Sequence, residues 1–277
     1  MIKRTYDGAQ RSVLLPAMEA QGLRPNQKLG QNFLVDPNMA DAIVAAAGDL
    51  SDKQVIEIGP GAGALTVRLL EKAAQVTAVE LDAGLFRLLS QHVPQAQLIH
   101  EDALKIDWSA VIGNRPVAAV ANLPYYITTP LLFRLLQETK ADPLVLMMQK
   151  EVVGRLCASP GGKEYGALSV MVQYGAEVET VLTVPPQCFY PVPKVDSAVV
   201  RIRRRPPQTP AGDEAWFETV VHACFKQRRK TLLNNLSALL GRDKARDVLA
   251  KTGIAENSRA EQLSIAQFVS LTNASKA

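Results

Sequence analysis

Val55-Ile56-Glu57-Ile58-Gly59-Pro60-Gly61-Ala62-Gly63 is an apolar run that closes on three glycines set two residues apart. A short β-rich run, a glycine turn and then apolar residues at helical spacing over 64–72 read as strand, turn and helix. Glycine tolerates positive φ and lets the backbone approach closely, so such a turn suits ligand contact. Outward from it, β-rich runs recur at 76–80, 97–100, 117–121 and 144–148, with helical spacing at 64–72 and 83–92. Strands separated by one helix each imply crossover connections and a parallel sheet.

The flanks extend this pattern. Residues 36–47 read as a helix, with Asp36 as N-cap and Pro37 at the first helical position. Helices are expected at 150–156 and 166–174, then β-like runs at 176–184 and 197–202 around a proline-rich loop at 185–193. Arg203-Arg204-Arg205-Pro206-Pro207 reads as a linker, and 215–225, 230–240, 243–251 and 264–271 carry helical patterns alone. The expected organisation is an α/β body over 1–206 and a small helical domain over 207–277.

The bulk numbers narrow the function class. The chain has 277 residues, 47% of them hydrophobic and 21% charged, which suits a folded globular protein. No apolar run reaches the roughly 18 residues of a membrane span, and the beginning of the chain lacks a signal-peptide pattern. Cys157, Cys188 and Cys224 are dispersed and form no CxxC pair; His92, His100 and His222 also lack ligand spacing, so no metal site is expected. The net charge of +4 is uneven: residues 201–277 hold 14 Lys+Arg against 7 Asp+Glu, and the rest hold 17 against 20. A basic C-terminal part suggests a polyanionic partner.

Chemistry collects at the ends of successive strands, where parallel α/β sheets bind ligands. The glycine spacing is GxGxG; Ala64 stands where a dinucleotide-binding GxGxxG turn needs its third glycine. Glu80 ends the second strand, 21 residues after Gly59, where a carboxylate accepts hydrogen bonds from both ribose hydroxyls of a nucleoside. Glu101-Asp102-Ala103 ends the third, where a carboxylate can accept from an adenine amino group. The fourth ends in Asn122-Leu123-Pro124-Tyr125-Tyr126. An adenine amine is a poor nucleophile because its lone pair is delocalised into the ring. The Asn122 side-chain oxygen can accept one of its N–H groups and the Leu123 carbonyl, aimed by Pro124, the other. Tyr125 offers a ring face to an extruded base. Methyl transfer with a neutral thioether leaving group needs orientation more than a strong base.

With these residues in view, the sequence resembles the ribosomal RNA adenine N6-dimethyltransferases, specifically their small-subunit, KsgA-type branch. The resemblance runs from Lys28 to Leu236. It rests on Leu29-Gly30-Gln31-Asn32-Phe33-Leu34-Val35-Asp36, the glycine turn, Val79-Glu80-Leu81-Asp82, Glu101-Asp102-Ala103 and Asn122-Leu123-Pro124-Tyr125. Met148-Gln149-Lys150-Glu151-Val152, the stretch from Phe189-Tyr190-Pro191 through Ser197-Ala198-Val199, and Phe225-Lys226-Gln227-Arg228-Arg229-Lys230-Thr231-Leu232 complete it.

The resemblance implies a Rossmann-like methyltransferase fold with S-adenosyl-L-methionine as cofactor. Asn32 and Leu34 would contact its methionine end, with Gln31 nearby; Gly59 would approach by backbone, Glu80 would hold the ribose and Asp102 the adenine. Glu57, Gly61, Gly63, Leu81 and Ala103 complete the expected cofactor-binding set. Asn122 would hold both cofactor and target amine, and Phe189 would add a second stacking surface to Leu123, Pro124 and Tyr125. The implied substrate is a pair of adjacent adenines in the last hairpin loop of small-subunit (16S) rRNA, each receiving two methyls within a partly assembled subunit. Arg201, Arg203, Arg204 and Arg205, then Lys226, Arg228, Arg229 and Lys230, are the expected RNA contacts. A cytoplasmic monomer without metal or membrane attachment follows from the same reading. Tyr126 stands where other members often carry Asn. Two other readings stay open: an antibiotic-resistance methyltransferase of large-subunit rRNA, and a non-catalytic RNA-binding assembly or transcription factor on the same fold.

Overall fold

The computed structural model describes residues 6–26 and 29–276; Lys28, where the resemblance begins, lies outside them, as do Lys3 and Arg4. The chain runs α1 (Arg11–Glu19), β1 (Phe33–Leu34), α2 (Pro37–Ala45), β2 (Gln54–Ile58), α3 (Thr66–Leu69), β3 (Gln75–Glu80), α4 (Ala83–His92), β4 (Gln97–His100), α5 (Trp108–Val111) and β5 (Val117–Asn122). It continues through α6 (Thr128–Glu138), β6 (Leu144–Gln149), α7 (Lys150–Leu156), α8 (Ala167–Tyr174), β7 (Ala176–Val184), β8 (Phe189–Tyr190) and β9 (Ser197–Arg204). Helices α9 (Glu214–Phe225), α10 (Leu232–Leu240), α11 (Arg242–Thr252) and α12 (Ile265–Lys276) follow.

A seven-stranded sheet has the order β4-β3-β2-β5-β6-β9-β7. β2 pairs in parallel with both β3 and β5, β3 with β4 and β5 with β6, while β9 runs antiparallel to β6. The expected α/β, mostly parallel architecture is therefore present. β2 is buried along its whole length, and β5 and β6 are buried up to their last residues. That is why these strands read as continuous apolar runs rather than alternating ones. The order reverses between β2 and β5, so the ends of β2, β3, β4 and β5 border the crevice where such sheets bind ligands.

Two compact units divide the chain: Met1–Val153 with Glu179–Arg203, and Gly154–Val178 with Arg204–Ala277. The single cut expected at residue 206 thus changes. The second unit takes back α8, because Tyr165, Val170 and Tyr174 share a core with Phe217, Val221, Leu236 and Phe268. The division falls inside β7 and β9, and the expected linker at 203–207 begins as strand.

Other differences are local. The helix expected over 64–72 is a single α-helical run of four residues, Thr66–Leu69. α10 begins at Leu232 rather than Lys230 because Thr231 caps it, accepting from the Asn234 N–H. The proline-rich loop contains β8, which pairs antiparallel with β1 in the register Phe33↔Tyr190 and Leu34↔Phe189.

Candidate active site

A cleft at the switch point of the sheet encloses about 1020 Å³, counting the space open to solvent at its mouth. Gln31, Asn32 and Leu34 line it from the β1 segment, Glu57, Gly59 and Gly61 from β2 and its turn, and Glu80 and Leu81 from the end of β3. Asp102 and Ala103 line it beyond β4, and Asn122, Leu123, Pro124 and Tyr125 beyond β5. Fourteen of the expected cofactor and catalytic positions therefore meet in one place.

Gly59, Gly61 and Gly63 all have positive φ, at 63°, 60° and 80°. At Gly61 the positive φ favours glycine, and an added Cβ would come within 3.2 Å of the Phe33 ring, which would have to give by a few tenths of an ångström. The turn is tied to Glu80, whose carboxylate accepts from the Gly61 N–H at 3.1 Å and the Asp82 N–H at 2.9 Å. Burial raises the Glu80 carboxyl to about 7, against the lowering effect of those two donors. Glu57, inside β2, is fully buried, and burial raises its carboxyl to about 8. The neighbouring Thr66 hydroxyl works against that rise, and the Glu80 carboxylate adds to it.

The opposite wall is the Asn-Leu-Pro-Tyr turn. The Asn122 side-chain nitrogen donates to the Asn32 carbonyl at 3.4 Å, which leaves its Oδ1 as the acceptor. The Leu123 N–H donates to Met147 across the sheet at 3.0 Å, anchoring the turn. Thr128 Oγ1 donates to the carbonyls of Pro124 and Tyr125, whereas the Leu123 carbonyl accepts no hydrogen bond among the described residues. Tyr125 shares a 2.5 Å hydrogen bond with Ser197 Oγ, and burial raises its phenol above the usual range. Ser197 lies in the Val-Asp-Ser-Ala-Val motif, yet nothing in the sequence paired it with Tyr125. Tyr126, 53% exposed, also lines the cleft, as do Gly30 and Gly8.

Three expectations change. Gly63 does not line the cleft; it turns the chain against Leu89 and Tyr6, its N–H bonded to Pro60. Phe189 is 2% exposed and packed in the core with Leu34, Val184 and Val199, because β8 pairing turns it inward; its face is not open to a base. Arg201 is committed to Glu179 at 2.7 Å and to the Ala46 carbonyl at 3.1 Å, so it holds the sheet edge rather than standing free. Lys226, Arg228, Arg229 and Lys230 are exposed on the turn between α9 and α10, and Arg203 is exposed on β9. Arg228 also donates to the Lys163 carbonyl at 2.6 Å, which fixes this turn within its own unit. Arg204 is half-buried.

The doubly wound sheet and its carboxylate- and glycine-lined cleft are those of an S-adenosylmethionine-dependent methyltransferase. Residues 22–276 match the family model described as ribosomal RNA adenine dimethylase. The chain is 46% identical over 272 residues to proteins of Bacillus mycoides and Bacillus anthracis named ribosomal RNA small subunit methyltransferase A, covering 93% of each chain. Among solved structures it resembles a dimethyladenosine transferase from Plasmodium falciparum, with TM-score 0.70, 27% identity, and 85% of this chain and 94% of that one covered. It also resembles the 23S rRNA methyltransferase ErmE, with TM-score 0.68, 28% identity, and 89% and 100% covered. The chain belongs to the ribosomal RNA adenine dimethylase family: it is an S-adenosylmethionine-dependent enzyme that dimethylates adenine N6 in rRNA.

Proposed function

We propose that the substrate is small-subunit (16S) rRNA, at two adjacent adenines of its 3′-terminal hairpin loop, and that the enzyme works in the cytoplasm as a monomer on a partly assembled 30S-type subunit. The 46% identity, over 93% of both chains, to relatives carrying the small-subunit name supports this reading. The observation that carries the chemistry is the pairing, on one wall, of an Asn122 oxygen and a Leu123 carbonyl not engaged by neighbouring groups.

In this reading the cleft beside Gly59 holds S-adenosyl-L-methionine, which supplies an electrophilic methyl group. Glu80 is placed to accept from ribose hydroxyls, and Asp102, whose Oδ1 accepts from the Leu104 N–H at 2.9 Å, to accept from the adenine amine. Asn32 and Leu34 border the methionine end, with Gln31 anchored behind them by Asn26 and Asp82. Across the cleft, Asn122 and Leu123 each accept one N–H of the target amine and so turn its lone pair toward the methyl. Tyr125 stacks on the flipped base, its tilt fixed by Ser197. Preorganised acceptors of this kind lower the barrier without reorganising during reaction. Lys226, Arg228, Arg229, Lys230, Arg203 and Arg204 supply cations for RNA phosphates.

Mass spectrometry of rRNA after incubation of small and large subunits with enzyme and cofactor tests the assignment. Dimethyladenosine at adjacent positions in small-subunit RNA supports it; methylation confined to large-subunit RNA overturns it. A third result, no methylation together with tight subunit binding, favours the assembly-factor reading.

A further inference from the structure

The glycine turn is held by more than Glu80. Residues 6–9 pack against the turn. The Tyr6 hydroxyl donates to the Ala62 carbonyl at 2.9 Å, in the middle of the turn, and the Tyr6 ring stacks on His92 with centroids 4.2 Å apart. Gly8 lies so close that a Cβ there would sit 1.9 Å from the Ala62 carbonyl oxygen, and Gly8 itself borders the cleft. Between them, Asp7 takes two bonds from Arg68, at 2.8 and 3.0 Å, and both side chains are buried. Arg68 is on α3, the helix the glycine turn leads into, and also donates to Ala64 and Asp41. Paired bidentate geometry is what makes a buried charge pair of this kind tolerable.

We propose that residues 6–9 form a strap that fixes the glycine turn in its ligand-binding shape, so that Tyr6, Asp7 and Gly8 help set the affinity for S-adenosylmethionine. The physical reason is entropic. Three positive-φ glycines in five residues give the turn a wide choice of conformations, and a ligand that must order it loses affinity to that cost. Glu80 fixes one N–H from the cleft side. The strap fixes Ala62 through Tyr6 and joins the turn to α3 through the Asp7–Arg68 pair. Tyr6 and Asp7 act as positioning residues, while Gly8 adds a stretch of backbone to the cleft wall.

Titration calorimetry of the full chain with S-adenosylmethionine tests this, using Tyr6→Phe, Gly8→Ala and, as a reference, Glu80→Ala. Tyr6→Phe keeps the ring on His92 and removes one hydrogen bond; its Kd should rise roughly three- to tenfold. Gly8→Ala pushes the turn away from the strap and should raise Kd by more than about tenfold. In Tyr6→Phe, KM for the cofactor should rise while kcat at saturation and RNA affinity stay near the wild-type values, a split that general loss of structure would not produce. A Tyr6→Phe variant binding within twofold of wild type, beside a weakened Glu80→Ala, overturns the strap alone. Unchanged binding in both takes the cofactor away from this wall, and the strap proposal falls with that placement.

Discussion

Around residues 59–63 the polar groups are bonded and enclosed, whereas at residues 122–127 the chain turns half in the open. Glu80 is 5% exposed with two backbone donors on its carboxylate; Tyr126, across the cleft, is 53% exposed. One wall therefore suits a small molecule that enters and is surrounded. The other suits a group still attached to something large, which must be swung in and let go. The division of labour is physical: the enclosed wall gains strength from low polarity, and the open wall gains access.

The comparison breaks first at Asn122. Asn122→Ala should lower the methyl-transfer rate by about 10²–10³, the scale for losing one preorganised hydrogen-bonding group. It should also leave the target unmethylated rather than singly methylated, which mass spectrometry of the product reads directly. Next comes Tyr125. Tyr125→Ala should cost about 1–3 kcal/mol of target binding in the transition state, while Tyr125→Phe keeps the ring, loses only the Ser197 bond and should cost under about 1 kcal/mol. Equal losses in kcat/KM for the two variants would show that the hydroxyl, not the ring face, matters.

The enclosed wall makes a pH prediction. With its carboxyl raised to about 8, Glu57 keeps a proton in the folded state that the unfolded chain releases near its ordinary value of 4.5. A raised folded pKa gives stability that is complete below about pH 4.5 and is lost as pH rises toward 8. Urea unfolding of the cofactor-free protein should therefore show stability falling by roughly 3 kcal/mol from pH 6 to pH 8, the larger part from Glu57 and the rest from Glu80 with its carboxyl at about 7, so that Glu57→Gln flattens most but not all of the slope. A slope unaffected by the substitution would mean that Glu57 is ionised in the fold. The smallest effect is expected outside the cleft. Neutralising Arg228, Arg229 and Lys230 together should weaken RNA binding about five- to tenfold at physiological salt and reduce the salt slope by about 1–2. An unchanged slope would remove the turn from the interface.

Much of this was legible in the sequence because the relevant signals are local. The glycines after β2, Glu80 after β3, Asp102 after β4 and Asn122 after β5 each sit at a strand end that periodicity reveals, and parallel topology brings strand ends together. What escaped was set by pairing between distant segments. The β1–β8 ladder, which turns Phe189 into the core, joins residues 33–34 to 189–190 with two residues on each side, too short for a periodic signal. Arg201 sits in a run of arginines and reads as a phosphate contact until β7 brings Glu179 beside it. The Tyr125–Ser197 bond and the strap over Ala62 have the same cause, a partner 72 or 56 residues away. Helix α8 reads as part of the α/β body by position, and only its apolar face shows that it shares a core with the C-terminal helices.

The most direct test is a crossed measurement on two variants, recording S-adenosylmethionine Kd and single-turnover methyl transfer at saturating cofactor for each. Glu80→Ala should raise Kd by about tenfold or more and recover most of its rate at saturation. Asn122→Ala should bind cofactor within a few-fold of wild type and remain slow however much is added. If instead Asn122→Ala transfers methyl at the wild-type rate, or both variants lose binding and rate in equal proportion, the assignment of separate tasks to the two walls is contradicted.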